Sequence, residues 1–521
     1  MELGCVSLLP LLLAKCAFLM TLMYGLYLLN WLILTPLRKR EFYKKYPNVK
    51  MSEKFYPLVG DIASWSRNLA KGLGVFHHYT KEVAENPKID FRLLQLGERS
   101  ILEVSSPKAL DQMEKLIPEK IDRGEPKNTV IDHMMPTAFV TSRTIDTMNK
   151  RKKSIIGFLG INRVSTYIPK MLESVDAYLK PLKGGQEVNF GDISKRISFE
   201  VMGTHLLGDD YKTINMDFKY VSPQTGAVSN VKFADFFMKL GRDEFAAFTN
   251  PLTKVLTPLS KRHLIEPFKT NHKNNLYLRK RLLQLIEAST DPNSMYKTLM
   301  RAEGASSEEA LMDVLAVVNA SFDSTSRVVS SCMYYLKKNP HVYRKLVTEI
   351  RKAGLDRANE IPAERRGEAF QDCDYLAYVV KEALRIDAPA PITLTYKAYE
   401  DINLCGVDIP EGQELSIGIA YPHFNPEQWH RPTEFLPERF DPESELFFKP
   451  GTKSIRHPKS FNAFSMGKRK CVGQTLAMLT AKVILVRILT TVKYEVSDDL
   501  MGKEKPCFDM FSATDLKIII T

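Results

Sequence analysis

The hydrophobic pattern changes period several times along the chain, and each change marks a structural unit. From Cys16 to Thr35 runs CAFLMTLMYGLYLLNWLILT, a stretch without a charge, whose length at helical rise matches the roughly 30 Å of a bilayer's hydrocarbon core. A second apolar stretch, Cys5 to Ala14, precedes it across Lys15, so the span begins anywhere between the two. Arg38, Lys39, Arg40, Lys44 and Lys45 follow, and the positive-inside bias places that flank and the rest of the chain in the cytoplasm, with Tyr27 and Trp31 as interface anchors. A cleaved secretory signal would have a shorter apolar region, basic residues ahead of it and a small-residue cleavage motif behind it. An uncleaved transmembrane anchor is therefore expected over 1–37. Residues 38–56, with Tyr46-Pro47 ahead of Phe55-Tyr56-Pro57, read as an extended basic and proline linker, because proline disfavours helix in the residue before it.

The remainder, 57–521, reads as one domain, mainly α with a small β region. Phe91–Gly97 and Ser100–Val104 are apolar runs about a glycine turn, the signature of a hairpin. Beyond Pro107 apolar positions recur three and four apart for most of the next stretch, the helical period. The clearest helix starts with Ser306-Ser-Glu-Glu309, a capping box, and runs to Leu336 before Lys337, Lys338, Asn339 and Pro340 close it. Pro340–Lys352 and Cys373–Ile386 are further helices. The period falls towards two between Thr393 and Ile419, with turns at Gly406 and Pro410–Gly412, and a last helix from Gln474 to Val492 is apolar nearly all round, hence buried.

Composition excludes some classes. With 44% hydrophobic and 26% charged residues the chain is neither disordered nor fibrous. Seven scattered cysteines, Cys5, Cys16, Cys332, Cys373, Cys405, Cys471 and Cys507, make neither a disulfide framework nor a zinc knuckle. The formal charge of +12 suits a membrane surface, an acidic protein or nucleic acid, but no nucleic-acid recognition motif accompanies it.

The most informative segment is Phe464-Ser-Met-Gly467-Lys-Arg469-Lys-Cys471-Val-Gly473. Cys471 falls at the start of a buried helix, where free N–H groups and the dipole favour a thiolate and depress its pKa, and a thiolate there can ligate iron. Gly467 permits a sharp turn, Gly473 lets backbone approach the sulfur, Phe464 covers it and Arg469 offers a donor fork to a carboxylate. Taken singly, a cysteine beside glycine and arginine is most often a plain buried residue. The joint spacing F-x-x-G-x-R-x-C-x-G resembles the heme-binding loop of the cytochrome P-450 family. Glu382-Ala-Leu-Arg385 resembles that family's E-x-x-R helix, and Phe435-Leu-Pro437-Glu438-Arg439-Phe440 its P-E-R-F segment. Residues at i and i+3 share a helix face, so Glu382 and Arg385 can meet and Arg439 can complete a structural triad. These motifs follow the long helix in the order the family shows.

The resemblance implies a single heme-thiolate domain with heme b bound through Cys471. It implies a monooxygenase that inserts one atom of O2 into a lipophilic substrate. In the long helix, Ala320-Ser-Phe-Asp323-Ser324-Thr325 resembles the oxygen-activation motif. Asp323 is then a proton courier with either Ser324 or Thr325, although serine and threonine on a helix also bond back to the carbonyl four residues earlier. Ser324 stands where the family usually has threonine, and Ser321 where it has glycine. For the heme propionates the family commonly offers an aromatic or histidine and then an arginine; Thr147–Lys153 offers Arg151, and Tyr396 falls where arginine or histidine is usual. The chain contains no G-x-G-x-x-G after a strand, so electrons are expected from an NADPH-dependent flavoprotein reductase or a cytochrome b5-like donor, met by basic runs at Lys150–Lys153 and Lys468–Lys470. The microsomal type implies the endoplasmic reticulum membrane. Two other readings are a heme-thiolate isomerase or dehydratase and a membrane-tethered heme sensor without turnover.

Overall fold

A computed structural model of the chain describes residues 8–53, 56, 58–71, 82–83, 85–124, 131, 134–207, 216–249, 265–301, 305–502, 508 and 515–521. Cys5, Cys507 and the Phe55 and Pro57 positions of the proline segment lie outside them. The N-terminal helix Leu8–Leu29 continues through one π turn, Asn30–Leu34, into a helix over Thr35–Lys44. Its apolar side chains face outward all round, Phe18 being 71% and Met20 65% exposed, so it is a candidate anchor that needs apolar surroundings. The expected linker is not extended. Helix persists to Lys44, Tyr43 is buried, and Gln95 donates its Nε2–H to the Pro36 carbonyl at 3.1 Å. The reason is that Tyr43 and Val49 find an apolar sheet face to cover, and Pro47 restricts only the residue before it.

Strands β1 (Val49–Met51), β2 (Phe91–Leu96), β3 (Arg99–Val104) and β4 (Ile121–Arg123) join β8 (Tyr396–Ala398) and β11 (Glu414–Ile417) in one sheet. Its order is β1-β2-β3-β11-β8-β4. The expected hairpin is present, with Phe91 opposite Val104 and Leu96 opposite Arg99. Alternation sends Phe91, Leu93, Leu102 and Val104 to one core and Leu94 and Ile101 to another. Arg92 and Glu103 face each other on the second side, fully buried, and neither Glu103 oxygen has a hydrogen-bond partner. Burial pushes the Glu103 carboxyl up to about 8 against the pull of Arg92, with Glu82 and Asp61 adding to the rise. The folded chain therefore keeps a proton that the unfolded chain releases above its ordinary value of 4.5, so this group's stabilisation fades as pH climbs towards 8. Glu103→Gln should raise stability by about 3 kcal/mol at pH 7 and by almost nothing near pH 4. Thermal midpoints of both proteins at the two pH values check this; a gap that does not widen with pH refutes it.

The helical part is built about the helix Ser307–Lys338. Its capping box is formed as expected: the Ser306 hydroxyl accepts from the Glu309 N–H at 3.2 Å, and the Glu309 carboxylate accepts from the Ser306 N–H at 3.0 Å. It packs against Phe190–Leu207, Asp374–Ile386 and Gln474–Thr491, in one continuous apolar core. Two β features break the expected run of helix. A hairpin of β6 (Asp217–Val221) and β7 (Val228–Lys232) turns Phe218 onto Phe233 and ties itself to the helix Phe268–Ala288 through Asn274. The chain also does not end in a helix: β12 (Tyr494–Val496) and β13 (Lys517–Ile520) form a sheet with β5 (Glu187–Asn189). The remaining strands, β9 (Ile402–Leu404) and β10 (Val407–Ile409), make the hairpin expected about Gly406.

Candidate functional site

The long helix is buried from Ala310 to Val318 and again from Thr325 to Leu336. Between them Asn319, Ala320, Ser321, Asp323 and Ser324 are accessible. This is an open face in the middle of a helix that otherwise crosses the core. On that face the Ser324 hydroxyl donates to the Ala320 carbonyl at 2.7 Å, and Asp323 Oδ1 lies 3.4 Å from Arg327 Nε. Thr325 turns inward instead, its hydroxyl buried without a partner. Of the two alcohols, Ser324 shares the open face with Asp323 and Thr325 does not.

The cysteine loop is held from three sides. Ser465 and Gly467 both have positive φ, 60° and 56°, and a Cβ on Gly467 would lie 2.6 Å from the Glu114 carboxylate, so only glycine fits there. The Cys471 N–H donates to the Phe464 carbonyl at 2.8 Å. The following helix, Gln474–Thr491, starts at once behind Gly473. Residue 471 remains exposed on one side. Its thiol was expected to be acidified by the helix start; the structure reverses this. Burial by the surrounding protein pushes it up, and the Gly473 N–H, Lys152 and Lys470 oppose that only in part. A single turn of helix dipole is weaker here than desolvation by the surrounding protein, and a bound metal ion would favour the thiolate.

Arg469 lies two residues before the thiol. Its Nη2–H groups reach Asp122 Oδ1 and the Ser142 carbonyl, both at 2.7 Å, and Nη1 reaches the Phe139 carbonyl at 3.2 Å. Its Nε stays buried without a partner. Arg123 stands directly across from Tyr396 in the β4–β8 pair, its guanidinium 4.2 Å from that ring; its Nε and the Tyr396 hydroxyl are likewise buried and unpartnered. Burial and the neighbouring Arg123 both push the Arg469 guanidinium down. Three unmet donors and two cations in one buried cluster make a cradle for carboxylates.

Arg151 does not join that cluster. Its Nε and Nη2 hold Asp313 at 2.8 and 2.9 Å, Nη2 also holds the Thr137 carbonyl at 2.8 Å, and Nη1 pairs with Glu309. Two carboxylates one helical turn apart on the neighbouring helix claim it first, and Arg123, which the sequence reading missed, stands in the cradle in its place. The two basic runs do meet: Lys152 donates to the Lys468 carbonyl.

Glu382, Arg385 and Arg439 are brought together with no exposure. Arg385 grips both Glu382 oxygens at 2.8 Å, and Arg439 Nε reaches Glu382 Oε1 at 3.0 Å. Every remaining direction is filled by loop carbonyls, among them those of His423, Pro432 and Arg431. His423, another residue the sequence reading missed, donates to the Arg385 carbonyl and accepts from the Asn462 N–H, both at 3.1 Å. Burial and Arg385 push its imidazole down to about 3, so it is a neutral strut between triad and cysteine loop.

A family model described as cytochrome P-450 matches residues 62–521. The chain belongs to the cytochrome P-450 family. It is similar to cytochrome P-450 3A18 of Rattus norvegicus, 28% identical over 63% of this chain and 64% of that protein. It also resembles germacrene A hydroxylase of Tanacetum parthenium, 24% identical over 81% of this chain and 83% of that protein. The match to the rat relative spans less than two thirds of that protein, and the match to cytochrome P-450 3A25 of Mus musculus spans 42% of it. Among solved structures the cytochrome P-450DA heme domain aligns with TM-score 0.66 at 17% identity, covering 86% of this chain and 93% of that one, which is agreement in fold. Cytochromes P-450 hold a heme through a cysteine thiolate. The residues present fit that group: an accessible sulfur at a helix start, an accessible break in the long helix, and unmet buried donors on Arg469, Arg123 and Tyr396.

Proposed function

We propose that this chain is a membrane-anchored heme-thiolate monooxygenase that oxidises a lipophilic substrate with O2 and electrons relayed from NADPH by a flavoprotein reductase. The observation that carries the reading is the set of buried, unpartnered donors, Arg469 Nε, Arg123 Nε and the Tyr396 hydroxyl, next to a thiol that receives the Gly473 N–H. Cys471 would supply the thiolate ligand to the iron. Arg469, Arg123 and Tyr396 hold the propionates, Phe464 and Gly473 flank the sulfur, and Gly467 makes the turn that presents it. When bound, the heme supplies the activation of dioxygen.

The remaining chemistry is proton delivery, and the open face of the long helix is suited to it. Asp323 is paired with Arg327 on that face and can swing from that pair to pass a proton. The Ser324 hydroxyl donates to Ala320, which leaves its lone pairs free to accept. Ser324 is therefore the alcohol of the relay, and Thr325 is a packing residue. Intact acid and alcohol favour oxygen activation over an isomerase or a sensor. The meeting of Lys152 with the Lys468 loop gathers Lys150, Lys153 and Lys470 on the cysteine side, a basic face for an acidic reductase or a cytochrome b5-like donor. The outward-facing apolar helix suits a single-pass anchor in the endoplasmic reticulum with the domain in the cytoplasm.

The test is coupling. With reductase, NADPH and a substrate found by screening, Asp323→Asn and Ser324→Ala should keep heme content while product per NADPH falls about tenfold, within the range of a positioned proton donor. Thr325→Ala should change coupling less than twofold. Equal losses at Ser324 and Thr325, or none at Asp323, refute this relay. Absence of any substrate-dependent NADPH use in the wild type would refute the monooxygenase itself.

A further inference from the structure

Resting on the heme-thiolate reading, we propose that Asp122 is a positioning residue of the heme site. It sets the orientation of Arg469 and keeps one negative charge beside it, which favours the ferric over the ferrous state of the bound iron. A carboxylate is a surprising neighbour for a cradle that is to receive carboxylates. Asp122 is nonetheless built in with care. It sits beside Arg123 in β4, its side chain 2% and that of Arg469 4% exposed, with 2.7 Å between Oδ1 and Nη2. Thr144 adds two donors, its N–H to Oδ2 at 2.6 Å and its hydroxyl to Oδ1 at 3.0 Å.

These contacts decide two things. With Nη2 taken by Asp122 and the Ser142 carbonyl and Nη1 by the Phe139 carbonyl, the guanidinium plane cannot rotate. Its Nε is the edge left over. Asp122 also separates like charges, since Arg123 and Arg469 are close enough in the buried cluster for each to disfavour the other's proton. Burial works against an ionised Asp122, but the Thr144 N–H and Arg469 outweigh it and hold the carboxyl below its ordinary range, so the negative charge is permanent at neutral pH. In a poorly screened interior such a charge acts over several ångströms. Reducing the iron adds an electron to the same neighbourhood, which a fixed anion opposes.

The measurement is the midpoint potential of the purified full-length holoprotein, by optical titration of the heme bands. Asp122→Asn keeps one oxygen for Arg469 and the Thr144 hydroxyl, removes the charge, and loses the acceptor of the Thr144 N–H. Its midpoint should move positive, so that at the wild-type midpoint the ferrous-to-ferric ratio rises about three- to tenfold. Thr144→Val, which keeps the charge and loses one hydrogen bond, should shift it clearly less. A second neutral variant, Asp122→Ser, serves if the asparagine protein does not accumulate. An unchanged midpoint in the neutral variants, or an equal shift in Thr144→Val, overturns the proposal. A wild type without a thiolate-type carbon-monoxide spectrum overturns the heme-thiolate reading beneath it, which is a distinguishable result.

Discussion

Cys471→Ala should eliminate the long-wavelength band of the reduced carbon-monoxide complex, because a thiolate ligand would shift the main band of a bound heme to the red. No other cysteine lies in the Phe464–Gly473 loop. The other described cysteines are Cys16 in the N-terminal helix, buried Cys332 and Cys373, and Cys405 in the β9–β10 turn. No described group of histidine, cysteine and carboxylate side chains is arranged to hold a metal ion. The variant should fold, since the loop rests on backbone contacts such as Cys471 N–H to the Phe464 carbonyl and on Arg469. Turnover should fall below detection while the thermal midpoint of the apoprotein is kept. A red-shifted band surviving in Cys471→Ala would end the ligand assignment. A wild type with a histidine-like band would bring the sensor reading forward.

The second large effect is expected at Glu382. Among the described residues it is the one carboxylate paired with both Arg385 and Arg439, all three side chains are fully buried, and it also accepts the Leu436 N–H at 2.9 Å. Glu382→Ala leaves two guanidiniums facing each other in the interior. Removing one partner of a buried ion pair costs roughly 3–5 kcal/mol, a large share of the 5–15 kcal/mol typical of a folded domain. The loss should appear as a sharply lower yield of soluble protein and a lower thermal midpoint. It should be accompanied by poor heme retention, because His423 transmits the position of Arg385 to Asn462 in the cysteine loop. Glu382→Gln, which keeps one acceptor, should lose less. A Glu382→Ala protein with wild-type midpoint and heme content would show that the loop carbonyls alone hold both arginines.

Much of this site could be read from local sequence, and the exceptions share one cause. The cysteine loop, the capping box at Ser306 and the E-x-x-R pair are short-range patterns, and their partners lie within a few residues. Arg123 and Asp122 carry no such signal. They come from a three-residue strand separated from Arg469 by more than 300 residues, and only sheet pairing with β8 brings them to the site. The helix position of Arg151 was legible; that Asp313 and Glu309 would claim it was not, because the turn of one helix against another depends on packing. The hairpin over residues 217–232 did carry an alternating pattern, Phe218 and Tyr220 inward with Asp217 and Lys219 outward, hidden among helices on either side.

The sequence by itself pointed to the family, to Cys471 as the proposed thiolate ligand, to the apolar N-terminal helix and to the bounds of several elements, because each rests on periodicity, capping or spacing along one stretch of chain. Tertiary structure alone decided which of Ser324 and Thr325 lies on the open face of the long helix, which arginines keep an unmet donor, and the direction of the Cys471 proton affinity. Those depend on burial and on neighbours far away in sequence. Desolvation and charge pairing in a packed interior act through space, and no local pattern encodes them.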